Sequence, residues 1–146
     1  MASWRDALTR AALEDVQLLV DAGLAIGRDS LARAGVFPPV PLVVNFAGSV
    51  LRLDHNASHL PRAASPAAVA DDAIELLRRT AHVTHAVALV APTRLAKARK
   101  DAVEIWIEHR EGTALSLIQP YRRPALGGAV TFGAPAAYPA DRRIWA

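Results

Sequence analysis

The chain of 146 residues contains no cysteine. Disulfides, thiolate metal sites, iron–sulfur clusters and cysteine nucleophiles are therefore all excluded. Lysine occurs only at Lys97 and Lys100, so the basic side is carried almost wholly by arginine. Charge of one sign is scarce as well: 17 Lys and Arg against 14 Asp and Glu leave a formal +3. Spread over a whole domain, that surplus is a weak pull on a polyanion, and the heavy use of alanine and arginine reads as coding bias. No run of roughly 18 apolar residues occurs, so no membrane-spanning helix is expected. The opening "MASWRDALTRAALEDV" carries charges every few residues and has no apolar core of signal-peptide length. On these grounds we expect a cytoplasmic bacterial protein.

What is present is a globular composition, 52% apolar and 21% charged. The length fits one domain, 1–146, able to bury roughly two-thirds of the surface of its unfolded chain. Ser3 followed by Asp6 suggests a capped helix start. Leu8, Ala12, Val16, Leu19, Gly23, Ile26 and Leu31 then recur at helical spacing, with a break expected near Gly23 or Gly27. Ala47-Gly48 turns between two β-branched segments, 42–46 and 49–53. The stretch 54–64 has no period and contains Pro61, so it reads as a loop. Ser65-Pro66 restarts a helix as N-cap and first residue, with Val69, Ala73, Ile74, Leu77 and Ala81 as its apolar stripe.

"THAVALVA" reads as a strand ended by Pro92, "PTRLAKARKD" as a basic connection, and "GGAVTFG" as a last short strand. The tail "YPADRRIWA" is expected to dock through Tyr138, Ile144 and Trp145. The expected fold is α+β: an antiparallel sheet of five or six strands with two main helices, order α-β-β-α-β-β-β-β, the helices mainly on one face. This element order resembles that of the roadblock and profilin-like group of small α+β domains. The resemblance is one of topology, carried by no motif, and it assigns no function.

The densest set of reactive side chains is "VEIWIEHREGTALSL", over 103–117. Arg110-Glu111-Gly112 fits a three-residue hairpin loop with glycine in the left-handed position. That register pairs Ile107 with Leu115 and Ile105 with Leu117 on one face. On the other face Glu104, Trp106 and Glu108 stand opposite Ile118, Ser116 and Ala114. Glu104 and Glu108 lie four strand residues apart, roughly 13 Å, too far for a paired-carboxylate mechanism, which needs about 5–9.5 Å. Strand parity turns His109 away from Glu108. The face holding Trp106, with Glu104, Glu108 and Ile118 around it, has the composition of a partner surface. It could equally be covered by a helix of the same chain.

His55 and His59 have the H-x-x-x-H spacing beside Asp54, but their loop context and the missing glutamate of H-E-x-x-H argue against a metal site. Arg94, Lys97, Arg99 and Lys100, with Arg122-Arg123 and Arg142-Arg143, would form an anion patch if loops brought them together. There is no phosphate-binding glycine fingerprint and no G-x-S-x-G elbow. We therefore expect no catalytic residues, metal or cofactor, and a domain acting through protein–protein contact, as a homodimer, with Trp106, Glu104, Glu108 and Ile118 at the interface. One alternative is a small-molecule or metal-binding protein or enzyme with a helix–sheet pocket near His55, His59 and Glu108. The other is an anion or nucleic-acid binder using Arg94, Lys97, Arg99 and Lys100.

Overall fold

The computed structural model describes residues 4–145. A 3-10 turn at Trp4–Ala7 precedes helix α1 (Arg10–Arg33), strands β1 (Val40–Asn45) and β2 (Val50–Arg52), and helix α2 (Pro66–Thr80). Strands β3 (Thr84–Leu95), β4 (Lys100–His109), β5 (Ala114–Arg122), β6 (Thr131–Phe132) and β7 (Ala136–Pro139) complete the order. All seven form one curled antiparallel sheet, β2-β1-β3-β4-β5-β6, with β7 also paired to β5. The α+β class and the order of helix, strands, helix, strands are as read from the sequence.

Local signals account for several boundaries. Ser65 caps α2 by accepting the Ala68 N–H at 3.1 Å, with Pro66 in the first turn. Gly112, at φ +116°, closes the β4–β5 loop in a conformation that disfavours side chains. The hairpin register is the expected one, Ile105 opposite Leu117 and Trp106 opposite Ser116.

Several expectations differ from the structure. Ser3 lies outside the described residues, and α1 is capped instead by Thr9, whose hydroxyl accepts the Ala12 N–H at 3.2 Å. The helix runs unbroken through Gly23 and Gly27, because these glycines are there for packing. A Cβ on Gly23 would come within 2.9 Å of Ile105 Cδ1, and one on Gly27 within 2.9 Å of Val103 Cγ1. Strand β3 continues past Pro92 to Leu95. Its pairing with β1 ends at Val90, so Pro92 sits where β3 has become an edge and needs no donor on that side. In the tail, Tyr138 lies in β7 and is 54% exposed, whereas Ile144 and Trp145 dock.

The helices divide between the two faces of the sheet instead of sharing one. Val16, Leu19, Val20 and Leu31 of α1 pack on Leu42, Val44, Ala88, Val90, Val103, Ile105 and Leu117. Ala73, Ile74 and Leu77 of α2 pack on Val43, Val87, Leu89 and Trp106, which strand alternation turns to the other side. Each fully buried Leu or Ile in these cores contributes about 1.5–3 kcal/mol. α2 covers only part of its face, and the tail covers the rest. Ala140, Ile144 and Trp145 pack against the second core.

Candidate functional site

The polar face of the β4–β5 hairpin is covered from within the chain. Trp106 is 8% exposed beneath α2 and the tail, and its indole N–H donates to the Asp141 carbonyl at 3.2 Å. Glu108 is fully buried: its carboxylate accepts the backbone N–H groups of Arg143, Ile144 at 2.9 Å and Trp145 at 2.8 Å. Arg142 adds an ion pair at 3.6 Å. Three successive amides of the bent tail are thus gathered by one carboxylate, so burying it leaves no donor or acceptor stranded. Glu104 and Ile118 are half-buried beside this cover, with Ile118 opposite Ala136 of β7. The four residues do share one face, as read, but Trp106 and Glu108 are already occupied by α2 and the tail.

On the other face His109 is locked to α1. Its Nε2 lies 2.8 Å from Asp15, and its Nδ1 accepts the Glu111 N–H at 3.0 Å, so the proton resides on Nε2. His85 is a looser neighbour of the same carboxylate at 3.7 Å. With both ring nitrogens engaged and the ring buried, His109 ties a helix to the sheet.

His55 and His59 are brought together, though not on a helix. They lie in the loop before α2, and each presents Nε2 to a different oxygen of Asp72, at 2.7 and 2.8 Å. The Asp72 carboxyl is held below its ordinary range by the hydrogen bond from His55, then by that from His59. A cleft of about 350 Å³ opens here, lined by Asp54, Asn56, Ser58 and Arg79 besides the triad. Glu108 is not part of its lining. Among the described residues, no set of three or more His, Asp or Glu is arranged to hold a metal ion.

Basic residues line an open cleft at the far end of the sheet. Arg99 and Lys100, from the β3–β4 turn, meet Arg122 and Arg123, from the end of β5, around a cleft of about 640 Å³. Half-buried Tyr121 and Phe132, with Thr131 and Gly133, are among the residues around it, but strand alternation turns the Tyr121 and Phe132 side chains to the sheet face opposite Lys100, Arg122 and Thr131. Asp101, the one acid there, is spoken for by Arg94 at 3.0 Å. Among the described residues, none of Arg99, Lys100, Arg122 and Arg123 has a carboxylate within ion-pair distance. Arg123 is instead fixed by donating to the Leu31 carbonyl of α1 at 2.8 Å. Burial, and secondarily the charge of Asp101, raises the Tyr121 hydroxyl above its usual value, so it stays a neutral donor.

Of the basic residues singled out in the sequence, Arg99 and Lys100 line this cleft. Arg94 points into an ion pair at its margin, and Lys97 is exposed in the turn. Arg142 and Arg143 lie elsewhere, on Glu108 and Asp71. Sequence reasoning missed Phe132 of β6 and Arg28 of α1, whose guanidinium sits 5.5 Å from the Phe132 ring centroid although the two lie 104 residues apart in sequence. No local signal marks either one.

An α+β domain with a basic cleft at one end of its sheet is the class these features define. No family model, curated protein or solved structure matches the chain.

Proposed function

We propose that this chain is a binding domain for an anionic ligand, taken up in the cleft between the β3–β4 turn and the end of β5. One observation carries the reading: four cations without acidic partners converge from two separate segments on a single concavity of about 640 Å³. Like charges brought together this way repel one another, and an anion relieves that repulsion. The volume lies within the range of roughly 300–1,000 Å³ typical of small-molecule sites. The contact features expected from the sequence lend less support, because Trp106 and the α1 glycines are used inside the chain.

Calorimetric titration with pyrophosphate at low ionic strength tests the proposal. Binding should weaken as salt rises toward a Debye length of about 8 Å. Arg122→Glu should cost roughly tenfold or more in affinity, since it removes one charge-assisted contact and adds a repulsive one. No binding at low salt, or binding indifferent to Arg122→Glu, would overturn it.

A second reading, self-association, draws on the outward face of α1, where Leu18 is 41% exposed beside Leu13. Light scattering of the parent and of Leu18→Glu tests that reading. A monomer in both cases would end it.

A further inference from the structure

We propose that a second cleft, between α2, the sheet face beneath it and the C-terminal tail, binds the ammonium group of a small primary amine, with the Glu104 carboxylate as counter-ion. The site is separate from the basic cleft, since no residue lines both. It stands on a pocket and an acid without a partner, and not on the anion-binding reading.

The pocket follows from strand register. Leu89 pairs with Trp106 and Ala91 with Glu104 across β3 and β4, and Ser116 pairs with Trp106 across β4 and β5. Residues two apart on a strand share a face, as do direct partners on neighbouring strands. Leu89, Ala91, Glu104, Trp106 and Ser116 therefore rise from the face that α2 covers. Ala70 and Ile74, one turn apart on α2, make the second wall, and Ala140, Asp141 and Arg143 of the tail make the third. The alanines at 70, 91 and 140 contribute only methyl groups, and a space of about 280 Å³ is left.

The tail wall is held in place before any ligand arrives. The Ala140 N–H donates to the Ala114 carbonyl at 3.3 Å, and the Asp141 carbonyl accepts the Trp106 indole N–H at 3.2 Å. From Arg143 onward Glu108 gathers the backbone amides. Binding here needs little ordering of the protein, which favours affinity for a small ligand.

The charges select the ligand. Among the described residues, the half-buried Glu104 carboxylate has no hydrogen bond and no cation within ion-pair distance. Arg143, the one cation lining the pocket, is taken by Asp71 at 2.7 Å. Asp141, the other acid there, has no cation partner either, so the lining leaves negative charge uncompensated. Apolar neighbours deprive Glu104 of part of its hydration, and an ammonium group would replace what water supplies. The Ser116 hydroxyl can accept a further N–H. Ala70, Ile74, Leu89 and Ala91 suit a short carbon stem. A hard metal ion fits less well, because it takes about six to eight oxygen ligands and this wall offers few. The volume is just under the roughly 300–1,000 Å³ of drug-sized sites, so the ligand is small.

The test is calorimetric titration of the whole chain with n-butylamine and with n-butanol, its neutral analogue, at neutral pH. The amine should bind roughly 10- to 100-fold more tightly than the alcohol, the worth of a hydrogen bond to a charged group. Glu104→Gln should remove that advantage, whereas Glu104→Asp, which keeps the charge, should retain part of it. Loss in the first variant but not the second is then loss of the charge and not of the fold. Nα-acetyl-lysine methylamide carries the same ammonium stem on a peptide backbone. Tighter binding of it than of butylamine assigns a protein lysine as the source, and weaker binding assigns a free amine.

No amine binding, equal affinity for amine and alcohol, or an amine affinity unchanged in Glu104→Gln would each overturn the proposal. None of these results touches the basic cleft.

Discussion

Replacing Glu108 by glutamine changes one oxygen to an amino group and removes a charge, with little change in volume. In the parent, Oε1 accepts from Arg143 and Ile144 and Oε2 from Trp145. The glutamine amide can keep the first two only by turning its NH₂ toward the third, setting donor against donor. One hydrogen bond to a charged acceptor is lost, about 1.5–3 kcal/mol, and two others fall to neutral strength. Together these amount to about 3–4 kcal/mol. For a domain of this size that corresponds to roughly 6–16 °C in Tm. The tail can limit the damage by peeling off, which wets its amides but uncovers Trp106. Urea unfolding and tryptophan emission therefore read out together: the variant should be less stable, and its native emission shifted to the red. A Glu108→Gln protein within about 0.5 kcal/mol of the parent, with unchanged emission, would refute the view that this carboxylate holds the tail.

Trp106→Ala should cost about 3–5 kcal/mol in denaturant unfolding, as expected of a buried core tryptophan; a near-neutral result would mean that the tail cover contributes little. Gly23→Ala gains about 1 kcal/mol of helix propensity but must displace three Ile105 side-chain atoms lying within 3.1 Å of the new methyl. Overpacking of about 1–3 kcal/mol should win, so the Tm should fall, and a rise would show that Ile105 yields freely. Because Asp72 is held below its ordinary value of 3.8 by His55 and His59, its contribution is present above that pH and lost as pH falls through the lower folded value. The Tm of Asp72→Asn should thus lie below the parent at neutral pH, and the gap should close in the acid range below pH 3.8. A gap independent of pH would contradict the bridge.

The elements legible in the sequence are those whose causes are local. Ser65-Pro66 caps α2 with its own neighbours, and Gly112 with strict alternation pins the β4–β5 register. What escaped reading depends on distant residues. The alternation told that Trp106 and Ile105 face opposite ways, but not that α2 takes one side and α1 the other. Gly23 and Gly27 looked like a helix break because the sequence does not show Ile105 and Val103 pressing into them. Glu108 reads as an exposed acid until three backbone amides, which have no residue-specific signature, come to it from 35–37 positions away. The basic cleft was half visible. The arginines were noted, but that Arg99 and Lys100 would meet Arg122 and Arg123 depends on the pairing of β4 with β5.

The sheet order has a further consequence. The long strands β4 and β5 are interior, while the borders are drawn by β2, of three residues, by the end of β3 beyond Val90, which carries Pro92, and by β6 and β7, of two and four. Short borders give another molecule too few free backbone groups to extend the ladder. On the β6–β7 side Pro139 ends β7, and Gly133 turns its N–H inward to the Pro120 carbonyl of β5. Short or proline-bearing borders of this kind disfavour open-ended polymerisation along the strand-stacking direction. Any second copy that does bind has to meet a helix or a face, and such contacts can close into a finite assembly.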